Sequence, residues 1–182
     1  MKRLAILLLA FALPGLAAGT DYTMQAASSQ LGFSAVFQGE SFDGHFAQWT
    51  AAISYDPAHL AASKFDVSAT LASVKTGDSD RDSALPGEAF FDTARFPKAH
   101  FVSTGFRHDG DKMMVDGNLT LRGVTRPVSL DITFKPQASG ATLDVVGTVK
   151  RLNFGVGSGD YADTSVIGAD VKIKAHLQLA AK

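Results

Sequence analysis

Apolar and polar residues alternate along most of the chain, the pattern typical of β-strands with one buried face. The clearest stretch is "SVIGADVKIKAHLQLA", residues 165–180, where residues such as Val171 share one face and residues such as Lys172 share the other. "PVSLDITFK", residues 127–135, repeats the pattern, with Pro127 at the strand start, where a missing N–H costs little. The alternation predicts a half-buried strand in each place.

The same alternation predicts about nine strands in total. The others cover residues 22–27, 31–37, 46–55, 65–74, 99–106, 113–121 and 142–149. Short turns such as "HDGDK" and "QASGA" separate them, which indicates an antiparallel sandwich or barrel. Eight strands closed into a barrel enclose a space that is either filled by side chains or able to hold one small ligand.

One segment, residues 78–96, interrupts this rhythm. Pro86 and Gly87 break its "RDSALPGEAFFD" into helical turns that can only be short, so we expect an insertion lying across one end of the sheet. Its alternating acids do not form a calcium loop. Counting from Asp78, the sixth position is Ser83 rather than glycine and the twelfth is Ala89 rather than glutamate. The acids are better explained as solvated groups that cap a short helix.

The N-terminus predicts export. Lys2 and Arg3 precede the apolar run "LAILLLAFAL" and the small residues "PGLAAG", which together have the form of a cleaved signal peptide, residues 1–18. The mature domain is then residues 19–182, and a bacterial periplasm suits it. Loss of the two basic residues leaves 15 bases against 18 acids, a formal charge of −3, which favours no nucleic-acid partner. The chain has no cysteine, which excludes disulfides and thiolate chemistry.

The residues give little support to catalysis or to a metal. The five histidines, His45, His59, His100, His108 and His176, lack the spacing of metal ligands. Ser158 in "GVGSGD" lacks the glycines of a nucleophile elbow. Two alternatives stay open: a periplasmic hydrolase using carboxylates of residues 78–88, such as Asp78, Asp82 and Glu88, and a small outer-membrane barrel. With one Trp and three Tyr against 13 Phe, the aromatic content favours an apolar interior over membrane girdles.

Four segments in order resemble the YceI-like domains, a family of secreted bacterial proteins. They are Gly44-x-Phe46-x-x-Trp49, "TGDSDRDSALPGEAFFDTARFP", "GNLTLRGVTRPV" and "RLNFGVG". Trp49 stands where the family more often has Phe. The resemblance covers almost the whole mature chain. It implies an all-β fold, a lipocalin-like antiparallel eight-stranded barrel, with the short helical insertion near residues 78–96.

The resemblance also implies an elongated cavity that binds a polyisoprenoid, an isoprenoid quinone or a similar amphiphilic lipid, with no catalytic residue, metal or cofactor. The protein is then a carrier, store or sequestering agent, without stable membrane insertion, and a homodimer is compatible with it. The alternation and the motif match predict the ligand-binding walls as Phe33, Phe37, Phe46, Trp49, Phe90, Phe91, Phe101, Leu119, Leu130, Ile132 and Phe134. For the phenylalanines of the insertion, a plug of the barrel end and a ligand wall remain equal alternatives.

Overall fold

The computed structural model describes residues 19–182, so the predicted signal peptide lies outside the described residues. This part of the chain is almost all sheet, with one short α-helix, α1, at Ser79–Ala84. The strands are β1 Thr20–Met24, β2 Gln30–Phe37, β3 Glu40–Phe46, β4 Trp49–Tyr55, β5 Lys64–Thr70, β6 Val74–Lys75, β7 Lys98–Asp109, β8 Lys112–Leu121, β9 Val124–Gln137, β10 Gly140–Lys150 and β11 Asp170–Ala181. No helix within residues 19–182 is long and apolar enough to cross a membrane.

The strands form the predicted closed, eight-stranded antiparallel barrel. Going round it, β1, β4, β5, β7, β8, β9, β10 and β11 pair in turn, and β11 pairs again with β1. The strands β2, β3 and β6 continue β1, β4 and β5 towards one end, so each of the first three barrel strands is bent rather than straight. A closed barrel leaves no free sheet edge around its girth.

The second and third bends are bonded to each other, and the first is bonded to β11. Ala47 N–H donates to the carbonyl of Ser73 at 3.0 Å, and Thr70 N–H donates to the carbonyl of Gln48 at 2.9 Å. The Ser73 hydroxyl accepts from Gln48 N–H at 3.0 Å. At the first bend, Gln25 N–H donates to Gln178 on β11 at 2.8 Å. These bonds satisfy backbone groups that the bends remove from the strand ladder.

Two strand predictions were wrong at their boundaries. The strand predicted over residues 46–55 begins at Trp49, and β3, Glu40–Phe46, was not predicted, because the inward position at Gly44 has no side chain and hides the alternation. The strand predicted from residue 165 begins at Asp170. The segment before it makes only a single bridge, between Ile167 and Phe37, as it passes along the barrel rim.

The interior divides into two apolar clusters. One fills the end of the barrel that holds the short hairpin turns at residues 110–111 and 138–139, called here the closed end. The second lies at the other end, called here the mouth, where the insertion and the long segment between β10 and β11 pack over the barrel. The outer face carries ion pairs, including Lys112 with Asp131 at 2.8 Å and Arg107 with Asp116 at 2.8 Å.

Candidate ligand-binding cavity

A cavity of about 590 Å³ lies inside the barrel between the two ends. Its wall is formed by inward side chains of the strands and is completed at the mouth by the insertion and by residues 151–169. Nine of the eleven predicted wall residues line it, namely Phe33, Phe37, Phe46, Trp49, Phe90, Phe91, Phe101, Leu119 and Leu130. Alternation along the strands therefore brings together aromatic rings that are far apart in sequence.

The other two predicted wall residues, Ile132 and Phe134, point into the barrel but do not line the cavity. Both belong to the apolar cluster of the closed end, where the Phe134 ring lies 4.8 Å from that of Tyr55, centroid to centroid. Alternation distinguishes inside from outside but says nothing about depth along the barrel axis. In this position the two side chains are part of the packing below the cavity.

The phenylalanines of the insertion divide between the two roles that the sequence left open. Phe90 and Phe91 line the cavity, and the Phe91 ring lies 6.2 Å from Phe46 on β3, centroid to centroid. Phe96 packs over Gly123, in the turn between β8 and β9, where a side chain at residue 123 would overlap its ring. Phe96 thus fastens the insertion to the barrel end.

Several lining residues at the mouth have no signal in the alternation of the sequence. Phe154, Val156 and Tyr161 come from the segment between β10 and β11, which has only short 3₁₀ turns and therefore no period of two. Arg81 comes from α1. The motif "RLNFGVG" is the one sequence signal that could have placed Phe154 at the site.

The acids of the insertion hold its backbone. One Asp78 carboxylate oxygen accepts from the N–H groups of Asp80 and Arg81, at 3.1 and 2.9 Å, and so caps α1 as predicted. Asp82 accepts from the N–H of Thr76 at 2.7 Å and from its hydroxyl at 2.8 Å. The hydrogen bond from the Thr76 hydroxyl lowers the pKa of Asp82, which favours the ionised form. A general acid requires the opposite shift.

Arg151 organises the segment between β10 and β11. Its guanidinium is buried, with 4% of the residue exposed, and all its bonds go to backbone carbonyls. The acceptors are Val156, Gly157, Tyr161, Ile167 and Gly168, at 2.5 to 3.1 Å. Burial lowers the pKa of Arg151. Because five donors meet five carbonyls, this cation shapes the rim and has no donor left for a ligand.

Further contacts join the insertion to the segment between β10 and β11 across the mouth. Arg122 lies in the β8–β9 turn. Its Nη1 donates a hydrogen bond to the carbonyl of Gly155, and its Nη2 donates one to the carbonyl of Glu88 at 2.7 Å. The ring of Phe90 lies 4.9 Å from that of Tyr161, centroid to centroid. One side chain therefore bonds both segments that border the opening.

The polar groups of the cavity wall are concentrated at the mouth. Arg81 lies with its guanidinium 4.5 Å from the centre of the Phe42 ring and 3.7 Å from Asp78. Its Nε also donates to the Thr76 hydroxyl at 3.4 Å. The N–H groups of Nη1 take no part in these contacts and can meet a ligand atom at the opening. No group of three or more imidazole or carboxylate side chains within residues 19–182 is arranged to hold a metal ion. The arrangement suits binding of an apolar chain with a polar end at the mouth.

Comparison with known proteins places the chain in a family. The model of the YceI-like domain matches residues 22–179. A UPF0312 protein of Pseudomonas savastanoi pv. phaseolicola is 37% identical over 139 residues, covering 73% of this chain and 72% of that protein. Protein YceI of Escherichia coli O157:H7 is 33% identical over 119 residues, covering 62% of each chain.

Solved structures share the fold. The crystal structure of BcnA from Burkholderia cenocepacia superposes with a TM-score of 0.81 at 30% identity, covering 86% of this chain and 99% of that one. A polyisoprenoid binding domain from Saccharophagus degradans, implicated in plant cell wall breakdown, gives a TM-score of 0.67 at 18% identity, covering 90% of this chain and 99% of that one. At that identity the likeness shows the fold alone. With a family match across nearly all of the described residues, the chain belongs to the YceI-like domain family.

Proposed function

We propose that this protein is a non-catalytic periplasmic binding protein that holds one long-chain apolar ligand, a polyisoprenoid, an isoprenoid quinone or a similar amphiphile, as a carrier, store or sequestering agent. The observation that carries the proposal is the internal cavity of about 590 Å³, lined by phenylalanine rings and aliphatic side chains. Membership of the YceI-like family and the polyisoprenoid-binding description of one structural neighbour support it.

The energetics of such a cavity favour a large ligand over a small one. Burying apolar surface contributes about 25 cal/mol per Å², so roughly 400 Å² of ligand contributes about 10 kcal/mol. Association costs at least about 4 kcal/mol. A long chain therefore binds with few polar contacts, while a short one gains too little. The same physics makes the site tolerant of different chains, so the polar end has to supply selectivity.

The polar end of the ligand lies at the mouth in this proposal. Arg81 offers N–H donors there, which suit a phosphate, a quinone carbonyl or an amide oxygen. Asp78 and Asp82 are engaged in holding α1 and Thr76, and the lowered pKa of Asp82 opposes a role as general acid in a hydrolase. The ion pairs on the outer face suit contact with water better than contact with lipid chains.

The test is mass spectrometry of lipid extracted from protein purified from the periplasm. We expect a prenyl or other long-chain lipid in near-stoichiometric amount and a protein mass that begins near residue 19. Incubation with the extracted lipid separates binding from catalysis, because a carrier returns its ligand chemically unchanged. Protein that is empty and binds no prenyl lipid, quinone or fatty amide contradicts the proposal. Intact Met1 on a cytoplasmic protein contradicts the location.

A further inference from the structure

We infer that five aromatic side chains at the closed end set the greatest chain length that the cavity accepts. This inference rests on the proposed function and adds a length limit to it. The rings, called here the aromatic floor, are Tyr22, Tyr55, Phe65, Phe106 and Phe134, one each from β1, β4, β5, β7 and β9.

The floor is a continuous cluster of rings. Tyr55 is central, with its ring centroid 4.8 Å from that of Phe134, 5.7 Å from Phe106 and 5.9 Å from Phe65. Phe65 meets Phe106 edge to face at 4.9 Å, and Tyr22 meets Phe134 at 5.7 Å. Edge-to-face and tilted contacts at these separations are the favourable ones for aromatic pairs. Tyr55 and Phe65 are 2% and 3% exposed, so the cluster is packed and not an open end.

The cavity stops at this cluster. Phe65 is the one floor ring that lines the cavity, while Tyr22, Tyr55, Phe106 and Phe134 lie behind it. The rings at the opposite end behave differently, since Phe37 and Tyr161 line the cavity and are also partly exposed at the mouth. A ligand chain that enters at the mouth therefore ends against Phe65.

The volume above the floor gives an approximate capacity. At the packing density of a protein interior, each aliphatic carbon fills roughly 20 to 25 Å³. The cavity of about 590 Å³ counts only the space open to the centre of a water-sized molecule, so it holds at least about 25 carbons, or at least about five isoprene units. A longer prenyl chain has to leave its end outside the mouth or displace the floor rings, and neither adds buried apolar contact. Affinity should rise about fourfold for each added methylene only until the chain reaches Phe65.

The experiment measures the affinity of all-trans prenols of two to twelve isoprene units by displacement of an apolar fluorescent probe. For the unaltered protein we expect affinity to rise with length and to level off at a fixed length of five units or more. Phe65→Ala opens the space above Tyr55, so the levelling point should move about one unit longer. Phe65→Leu removes less volume and should shift it in the same direction by less, which keeps the test available if Phe65→Ala folds poorly.

Phe37→Ala is the matched control, because it removes the same ring at the mouth and leaves the depth unchanged. It should weaken all prenols by a similar factor without moving the levelling point. An unaltered protein whose affinity still climbs at twelve units overturns the inference, as does a levelling point that Phe65→Ala and Phe65→Leu leave in place while prenols still bind. If no prenol of any length binds the unaltered protein, the proposed function fails and the length limit fails with it.

Discussion

The ring of Phe33 lies directly over Gly44, its partner across the β2–β3 ladder, so that a methyl group at residue 44 would overlap it. Phe101 lies over Gly117 in the same way. Large side chains of the cavity wall thus rest on inward-facing glycines of the neighbouring strand. The glycines let the rings lie flat against the barrel, which keeps the cavity between them open.

Gly44→Ala should therefore push the Phe33 ring off the wall. We expect a loss of about 1 to 3 kcal/mol in the free energy of unfolding, the usual cost of overpacking, measured by urea denaturation. Gly105→Ala is the control, because a methyl group at Gly105 meets nothing within 4 Å and its backbone angle is ordinary. That change should stay within about 0.5 kcal/mol. Equal effects of the two substitutions would contradict this account of the wall.

The buried and exposed sides of the strands could be predicted from sequence because they depend on alternation alone. Alternation left a sandwich and a barrel open, and it was the resemblance of four motifs to the YceI-like domains that implied the eight-stranded barrel. The depth of Phe134 could not, because alternation carries no information about position along the axis. β3, which continues β4, was missed because Gly44 puts no side chain at an inward position and so interrupts the alternation. The space at that position is filled by the ring of Phe33 from β2. The roles of Arg151 and Tyr161 depend on contacts within irregular segments, where no period exists to detect.

Trp49 should report ligand binding directly. It is the single tryptophan of the chain and it lines the cavity. A bound prenyl chain should shift its emission to shorter wavelength by excluding water, and a bound quinone should quench it. Trp49→Phe should remove the signal while displacement of an apolar probe continues. An emission spectrum that does not change at saturating ligand would place the ligand elsewhere.

Leu130→Glu should abolish binding if the protein still folds. Leu130 is 8% exposed and lines the cavity, so the new carboxylate would enter an apolar space at a cost of several kcal/mol. Asp131→Ala, one residue along and on the outer face, removes only an ion pair with Lys112 and should leave affinity unchanged. Probe displacement on both variants, with circular dichroism as the folding check, tests the difference. Equal loss from both would contradict the inward assignment of Leu130.

Asp82 should make the insertion sensitive to acid. Hydrogen bonding from Thr76 lowers the pKa of Asp82 in the folded protein below its value in the unfolded chain, about 3.9. Its stabilising contribution is therefore complete above about pH 4 and is lost as the pH falls through the folded pKa. Asp82→Asn should be less stable than the unaltered protein at pH 7, and the difference should narrow on acidification.

The control for this prediction is Asp111→Asn, in the exposed turn between β7 and β8, which removes the same charge. It should change stability little, because the side chain lies in an exposed turn. Thermal unfolding between about pH 2 and pH 7 measures both variants across the window in which Asp82 titrates. A constant difference for Asp82→Asn over that window would contradict the role given to its ionised form.

Arg122→Ala should speed the exchange of ligand through the mouth. Its guanidinium donates to the carbonyls of Glu88, in the insertion, and Gly155, in the segment between β10 and β11, so its loss frees both borders of the opening. In the proposed function the ligand enters and leaves through that opening. We therefore expect both the dissociation rate and the association rate to rise several-fold in Arg122→Ala, so that affinity changes less than either rate. Stopped-flow measurement of Trp49 emission gives both rates.

Arg126→Ala is the matched control for the change at Arg122, because Arg126 is exposed and makes one long hydrogen bond, at 3.4 Å, to the carbonyl of Asn153. A ligand dissociation rate that is unchanged in Arg122→Ala, or raised equally in Arg126→Ala, would show that the Arg122 contacts do not slow the passage of ligand through the mouth.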